Sequence, residues 1–454
     1  MLDESAQRSG PGAFIAALQA VGHDVQERWR LRNFDPATFS AIARDGLRAL
    51  EAPDSSGAWS ACPWDEMIRY VVHARDVVQM YNRYNLLLPI KVFRSDRLMI
   101  DIAVGTDPWL VIEGHGYAAA LRMLGGAALQ ATYRFHEEER IADDLRLGVL
   151  EPAGAECLGP GDTTAMAPGV GGRIHTTMFL DRSMAGVLMR SFTLPEAMPQ
   201  FGFFPPSLAA APMRSANAAA LDGVVRLMSI VGTLGRSREL AALVDGLARV
   251  HLSLRVDLVV KRRALFEATG TLSAVLDGIS GEHARLGEAV ARHLAVQRRA
   301  ERQERLAEAC DDRDVRVLVA ALRMSMSRGE SLNRLRAMCD RLAPDEPVAD
   351  RVARAVRAAA PRLGGAVDSA ALDASGWRVT ADAWLAGVAP GDAGSFVRAR
   401  HGIDAPGRIP EVLAMLRAAP ALAPLACEDE PGRSGLDRID CGVRENHPSL
   451  EENR

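Results

Sequence analysis

Lysine is almost absent from this chain. Lys91 and Lys261 are the only two among 54 basic residues, so 52 are arginine. Such an excess follows genome composition as readily as chemistry, and it excludes no function. Aromatic side chains run out early. Of 23, only Phe266, Trp377, Trp384 and Phe396 lie beyond Phe204, which suggests two regions built on different packing rules. Charge of one sign is also lacking: residues 1–210 carry 19 basic and 25 acidic side chains, the remainder 35 and 33. A nucleic-acid binder needs a strongly positive field, so that class is excluded. The six cysteines are scattered with no C-x-x-C pair, which argues against a disulfide framework and a zinc ribbon. No apolar run approaches the length of a membrane span. The first residues, MLDESAQ, are acidic where a signal peptide is basic, so a cytoplasmic location and no membrane partner are expected.

Several signature motifs are missing as well. There is no G-x-x-x-x-G-K-[ST] loop, no G-x-S-x-G elbow and no H-E-x-x-H pair. Nucleotide triphosphate hydrolysis by a P-loop, the α/β-hydrolase mechanism and zincin-type proteolysis therefore have no support.

What is present changes character along the chain. Residues 1–88 read as helical. Phe14, Ile15, Leu18 and Val21 recur at helical spacing, Asp35-Pro36 looks like an N-cap followed by Pro, and a third helix is expected from about Trp64 to Leu87. From Pro89 short β-branched and aromatic runs take over: IKVF, RLMIDIAV, WLVIEG, LQATYRF, LRLGVLEP, TTAMAP, RIHTTMFL and AGVLMRSF. Between Leu129 and His136 apolar and polar residues alternate with the two-residue period of a strand. A helical piece, Tyr117 to Leu124, is expected to interrupt the strands, and the β region to end near Phe192. A proline-rich linker follows at 193–213, with Pro195, Pro199, Pro205, Pro206 and Pro212. Residues 214–425 read as all-helical and aliphatic, and 426–454 as a disordered tail. The expected class is α+β: a small antiparallel β-barrel preceded by helices and followed by a large all-α region.

Chemistry is sought in the β region, because His115, His136 and His175 fall there near turns. In Glu151 to Asp181 a strand end leads to the turn Gly159-Pro-Gly161-Asp162. A short strand, the turn Pro168-Gly169 and a strand carrying His175 then follow. This order resembles the second motif of the cupin superfamily: a Gly (here Gly161), a Pro-Gly turn and a following His (here His175). The loop before His175 is longer than usual, and the first cupin motif, two histidines one residue apart and then a Glu, is missing. The resemblance spans about residues 89–192 and implies a cupin-like barrel of the cysteine-dioxygenase kind.

The fold it implies lets distant strands bring ligands together on a metal. His136 and Glu138, two apart on one strand face, would join His175 as a two-His-one-carboxylate set, with His115 as alternate ligand. Non-haem Fe(II) is the expected metal, with other divalent metals as alternatives. Arg190 would hold the acidic group of a small-molecule substrate, because guanidinium reads carboxylates bidentately. Tyr133 is a second candidate catalytic residue, and Tyr81, Tyr84 and Tyr117 could line a pocket or belong to a core. The functional expectation is a metal-dependent cupin-type oxygenase acting on a small acidic or amino-acid-like molecule. The alternative is a non-catalytic sensing protein with a metal-free barrel and a helical region that binds a protein partner.

Overall fold

A computed structural model describes residues 12–50, 64–73, 88–105, 112–168, 174–181, 184–192, 200–211, 216–310, 312–323, 328–363, 372–402 and 408–422. The expected continuation of the third helix beyond residue 73, Tyr81, Tyr84, Gly169 and the tail lie outside the described residues.

The chain opens with α1 (Ala13–Arg30), α2 (Pro36–Arg48) and α3 (Trp64–His73). Asp35 caps α2 as its sequence suggests, accepting a hydrogen bond from the Ala37 N–H at 3.0 Å, with Pro36 in the first turn. Eleven strands follow among the described residues: β1 (Leu88–Arg94), β2 (Leu98–Gly105), β3 (Ile112–Gly114), β4 (Ala119–Gly125), β5 (Ala128–Ala142), β6 (Leu145–Leu158), β7 (Thr163–Met166), β8 (Ile174–Phe179), β9 (Met184–Ser191), β10 (Phe201–Phe204) and β11 (Leu208–Ala210). Their ladders are antiparallel. Five form a sheet in the order β1-β2-β9-β4-β7, and six form a closed barrel in the order β10-β11-β6-β5-β8-β3.

Two expectations need correction. The segment from Tyr117 to Leu124 is not helical; it runs into strand β4, paired on both sides with β7 and β9. Ala, Leu and Met suit a helix in isolation, but two ladder neighbours and burial on both faces override that preference. Nor do the strands end near Phe192. β10 and β11 lie inside the proline-rich segment and complete the barrel, because Pro205 and Pro206 sit in the turn between them and leave the strands' donors free to pair.

The helical region comprises α4 (Ala216–Thr233), α5 (Ser237–Leu247), α6 (Leu252–Ala268), α7 (Leu272–Glu282), α8 (Ala284–Ala309), α9 (Arg313–Arg323), α10 (Arg328–Leu342), α11 (Val348–Ala359), α12 (Ala374–Leu385), α13 (Ala393–His401) and α14 (Ile409–Ala418). The class is therefore α+β, with strands in the middle and helices on either side. Among the described helices none is long and apolar enough to cross a membrane.

Alternation along the strands distributes the cores. On the five-stranded sheet, Ile90, Val92, Ile100, Ile102, Val187 and Met189 face α1 and α2 and pack on Phe14, Leu18, Trp29 and Phe39. On the barrel wall, Leu129, Ala131, Tyr133, Ile174 and Met178 face outward into the core of the C-terminal helices, with Val319, Leu322 and Trp377. The two remaining faces meet each other. Ala119, Leu121, Met123 and Met184 of the sheet pack on Ala128, Leu158 and Phe179 of the wall. Above that apolar floor the layer between the sheets turns polar.

Candidate functional site

The polar layer starts at Gln130, which has no solvent exposure. Its amide lies 3.4 Å from the Thr177 hydroxyl and 3.3 Å from that of Thr164, which also lies 3.1 Å from Glu156 Oε1. One step up the barrel wall Thr132 pairs with His175, and Glu113 pairs with His175 from the other side. Just beyond β3, where the strand ends, the chain carries His115 and Tyr117 into the same layer as Glu113. His115 and His175 are both buried, their rings 5.0 Å apart between centroids and inclined by 61°. His115 also stacks on Tyr117 at 4.4 Å and places Nε2 3.6 Å from Glu113 Oε1. Gln200, the residue before β10, donates from Nε2 to Glu113 Oε2 at 2.5 Å.

The five-stranded sheet supplies the facing charges. Arg190 on β9 and Asp101 on β2 are diagonal neighbours, since Met99 stands opposite Arg190. The Arg190 guanidinium donates to Asp101 Oδ2 from Nε at 3.3 Å and from Nη2 at 3.2 Å, and lies 5.3 Å from the Tyr117 ring centre. Lys91, opposite Asp101 in the β1–β2 ladder, brings its Nζ to 4.0 Å from Asp101 Oδ1.

Burial sets the protonation states. Loss of hydration, with Arg190 nearby, pushes the His115 imidazole down to about 4, so the ring is neutral near neutral pH. Glu113 moves the other way. Desolvation raises its carboxyl above the usual range, against the opposing pull of His175, the Gln200 hydrogen bond and Arg190. Burial also raises the Tyr117 phenol, which stays protonated. Among the described residues, His115 Nδ1 and Asp101 Oδ1 are buried without hydrogen-bond partners. Such atoms are costly in a core.

Of the residues singled out from the sequence, the structure brings His115, His175 and Arg190 into this layer. It does not bring His136 or Glu138. His136 is four residues beyond Thr132 on β5, about 13 Å along the strand. It is exposed and bonded to Glu151 Oε2 at 3.0 Å. Glu138 is exposed and accepts from Arg285 at 2.8 Å, while Glu139 accepts from Arg285 and from His283 of the helical region. The His136–Glu138 pairing with His175 therefore gives way, because β5 leaves the sheet-covered layer before it reaches them. Tyr133 lies on the opposite face of β5 from Thr132, within the helical core, where burial lifts its phenol to about 12. Tyr117, expected to line a pocket or belong to a core, lies in this layer as well. Glu113, Lys91, Asp101 and Gln200 also lie here and have no counterpart among the sequence candidates; the spacing Glu113-x-His115 was the available signal for the first of them.

Gly161 does occupy a position that needs glycine. Its φ of 88° is left-handed, and its N–H donates to the Met123 carbonyl at 2.8 Å, tying the β6–β7 turn to β4. With the closed six-stranded barrel, this is compatible with a cupin architecture. No family model matches the sequence, and no curated protein matches it. Among solved structures, the chain is similar to the DMSP lyase DddQ from Ruegeria pomeroyi DSS-3. The match has 17% identity and a TM-score of 0.23, and covers 42% of this chain and 98% of the other. That likeness is too slight to bear on activity.

Proposed function

We propose that the layer between the sheet and the barrel wall is the active site of a cupin-type enzyme acting on a small acidic molecule. The observation that carries this reading is the burial of His115 and His175 at 5.0 Å, with Glu113 beside them and the Arg190 guanidinium on the facing sheet.

The resemblance implies a metal, and the donors suit one in kind. His115 is neutral, the form that ligates, and its Nδ1 lacks a partner. As the side chains stand, no group of three or more His, Cys, Asp or Glu among the described residues is set to hold an ion. Ligation would therefore require a side chain to turn. Glu113, His115 and His175 would hold the metal; mixed nitrogen and oxygen donors favour non-haem Fe(II), with other divalent metals as alternatives. Such an ion would supply Lewis-acid activation and, as iron, the redox chemistry of an oxygenase.

The chain's own residues do the rest. Arg190, aligned by Asp101, binds the acidic group of the substrate. Glu113, as a ligand, would bind as the carboxylate, since the charge of an ion there would offset the desolvation that otherwise raises its pKa. Gln200 fixes the carboxyl's orientation. The hydrophobic floor of Leu121, Met123, Leu158 and Phe179 excludes water from below.

Anaerobic equilibrium dialysis of the full chain against Fe(II), Mn(II), Ni(II) and Zn(II) tests the metal. Saturable binding near one ion per chain is expected, and its absence for all four would remove the metal from the account. A non-catalytic sensing role finds no specific observation in its favour. The helical region shares one core with the outer face of β5 and β8.

A further inference from the structure

Helix α4 carries two apolar stripes. Val224, Val225, Met228 and Val231 belong to the core that α4 shares with α6, α7 and α8. A second stripe, Leu227, Ile230 and Leu234, stays 46%, 56% and 67% exposed. Its spacing of three and then four residues is that of a seam between packed helices. A helix with so little polar surface belongs in an interior, and an exposed apolar stripe on it calls for a partner.

The same region holds a groove that suits this stripe. Between α7 and α8 lies an open groove of about 510 Å³, with Leu272 and Leu276 as one wall. Ala284, Gly287 and Ala291 repeat at three and four residues along α8 and give the groove a floor without bulk. Small residues on one helix leave room for the large ones of another to interdigitate.

The charges at the two rims are complementary. From Gly223 to Arg236 the only charged residues are Arg226 and Arg236. Arg236 pairs with Glu239 at the start of α5. Arg226 is exposed, one turn before Ile230, and has no acidic partner among the described residues. The charged residues lining the groove are both acidic. Glu288 lies 3.4 Å from Arg292. Asp277 accepts from the Ser273 hydroxyl at 3.4 Å and meets no cation among the described residues. Gly232 of α4 lies against Thr269, just before α7 begins. Stripe and groove therefore border one another on the bundle surface, so a twofold axis can close two identical contacts.

We infer that this chain forms a twofold dimer through its C-terminal helical region. The Leu227–Ile230–Leu234 stripe of each copy seats in the α7–α8 groove of the other, with Arg226 against Asp277 across the rim. Burial of the stripe supplies the affinity, and the two ionic contacts set the register. The interface uses no residue of the layer between sheet and barrel, so it stands or falls independently of the activity proposed above.

Analytical ultracentrifugation of the full-length chain tests this, with circular dichroism to establish that each variant is folded. The wild type is expected to be dimeric in the micromolar range and Ile230→Asp monomeric. Arg226→Glu and Asp277→Arg should each raise the dissociation constant at least tenfold, because each sets like charges together twice per dimer. The double variant Arg226→Glu/Asp277→Arg restores opposite charges at both contacts and should regain wild-type dimerisation. A monomeric wild type would overturn the inference, and its co-sedimentation with phosphatidylserine vesicles would give the stripe to a membrane instead. A dimer indifferent to Ile230→Asp, or single reversals that the double variant does not repair, would overturn it as well.

Discussion

The imidazoles of His115 and His175 lie 5.0 Å apart between ring centres, although His115 directly follows β3 and His175 lies on β8, with four strands between them in sequence. β3 and β8 are neighbours in the barrel, and Glu113 is the β3 residue paired with His175. The ladder thus sets a carboxylate beside one imidazole, and the residue just beyond β3 brings the second into the same buried layer.

Burial of neutral histidines predicts the pH dependence of stability. His115 and His293 are both pushed down to about 4 by desolvation. Arg190 adds to the shift of His115, and the bond from His293 Nδ1 to the Pro205 carbonyl opposes the shift of His293. Their unfolded values lie near 6.5, so between about 4 and 6.5 the unfolded chain binds more protons. Their contribution is fully present above 6.5 and is lost as pH falls toward 4, up to about 3 kcal/mol for each group. The raised Glu113 pKa acts in the opposite sense and offsets part of it. Thermal unfolding from pH 7 to 4 should show a falling midpoint, with a shallower fall in His293→Gln. An equally steep profile in that variant would contradict the assignment.

His136 supplies the contrast. Its pair with Glu151 is open to solvent on both sides, with side-chain exposures of 58% and 57%. Exposed pairs contribute little, so His136→Ala should change unfolding free energy by no more than about 0.5 kcal/mol. Chemical denaturation measures this directly, and a loss several times larger would mean that the residue has a role the surface pair does not explain.

The long β5–β6 hairpin rests on a close approach at Gly148. A Cβ there would sit 2.1 Å from the His136 carbonyl oxygen and 2.8 Å from the Phe135 ring. Backbone cannot yield as a flexible side chain does. Gly148→Ala should cost about 1–3 kcal/mol, read as a lowered unfolding midpoint. An unchanged midpoint would show that the two strands can separate locally without penalty.

These residues also show how far sequence reading reaches. Each β-rich run named from composition contains an observed strand, because alternation and β-branched content report burial on a pleated surface. The 117–124 segment failed because its small aliphatic residues take their conformation from β7 and β9, which local spacing does not reveal. His136 and Glu138 satisfied the spacing rule for a shared strand face, yet covering by the second sheet stops short of them. Lys91 and Asp101 were invisible as a pair, since only the β1–β2 register joins them. Arg190 was singled out for its chemistry, whereas its bond to Asp101 appears only in the fold.

The central claim is that the functional centre is the Glu113–His115–His175 layer and not the His136–Glu138 edge. Elemental analysis of full-length protein reconstituted anaerobically with Fe(II) tests it most directly, comparing wild type with His115→Ala, His175→Ala and His136→Ala. The account predicts about one iron per chain in wild type and His136→Ala, with loss in both layer variants. Iron retained by His115→Ala and His175→Ala but lost from His136→Ala would contradict it.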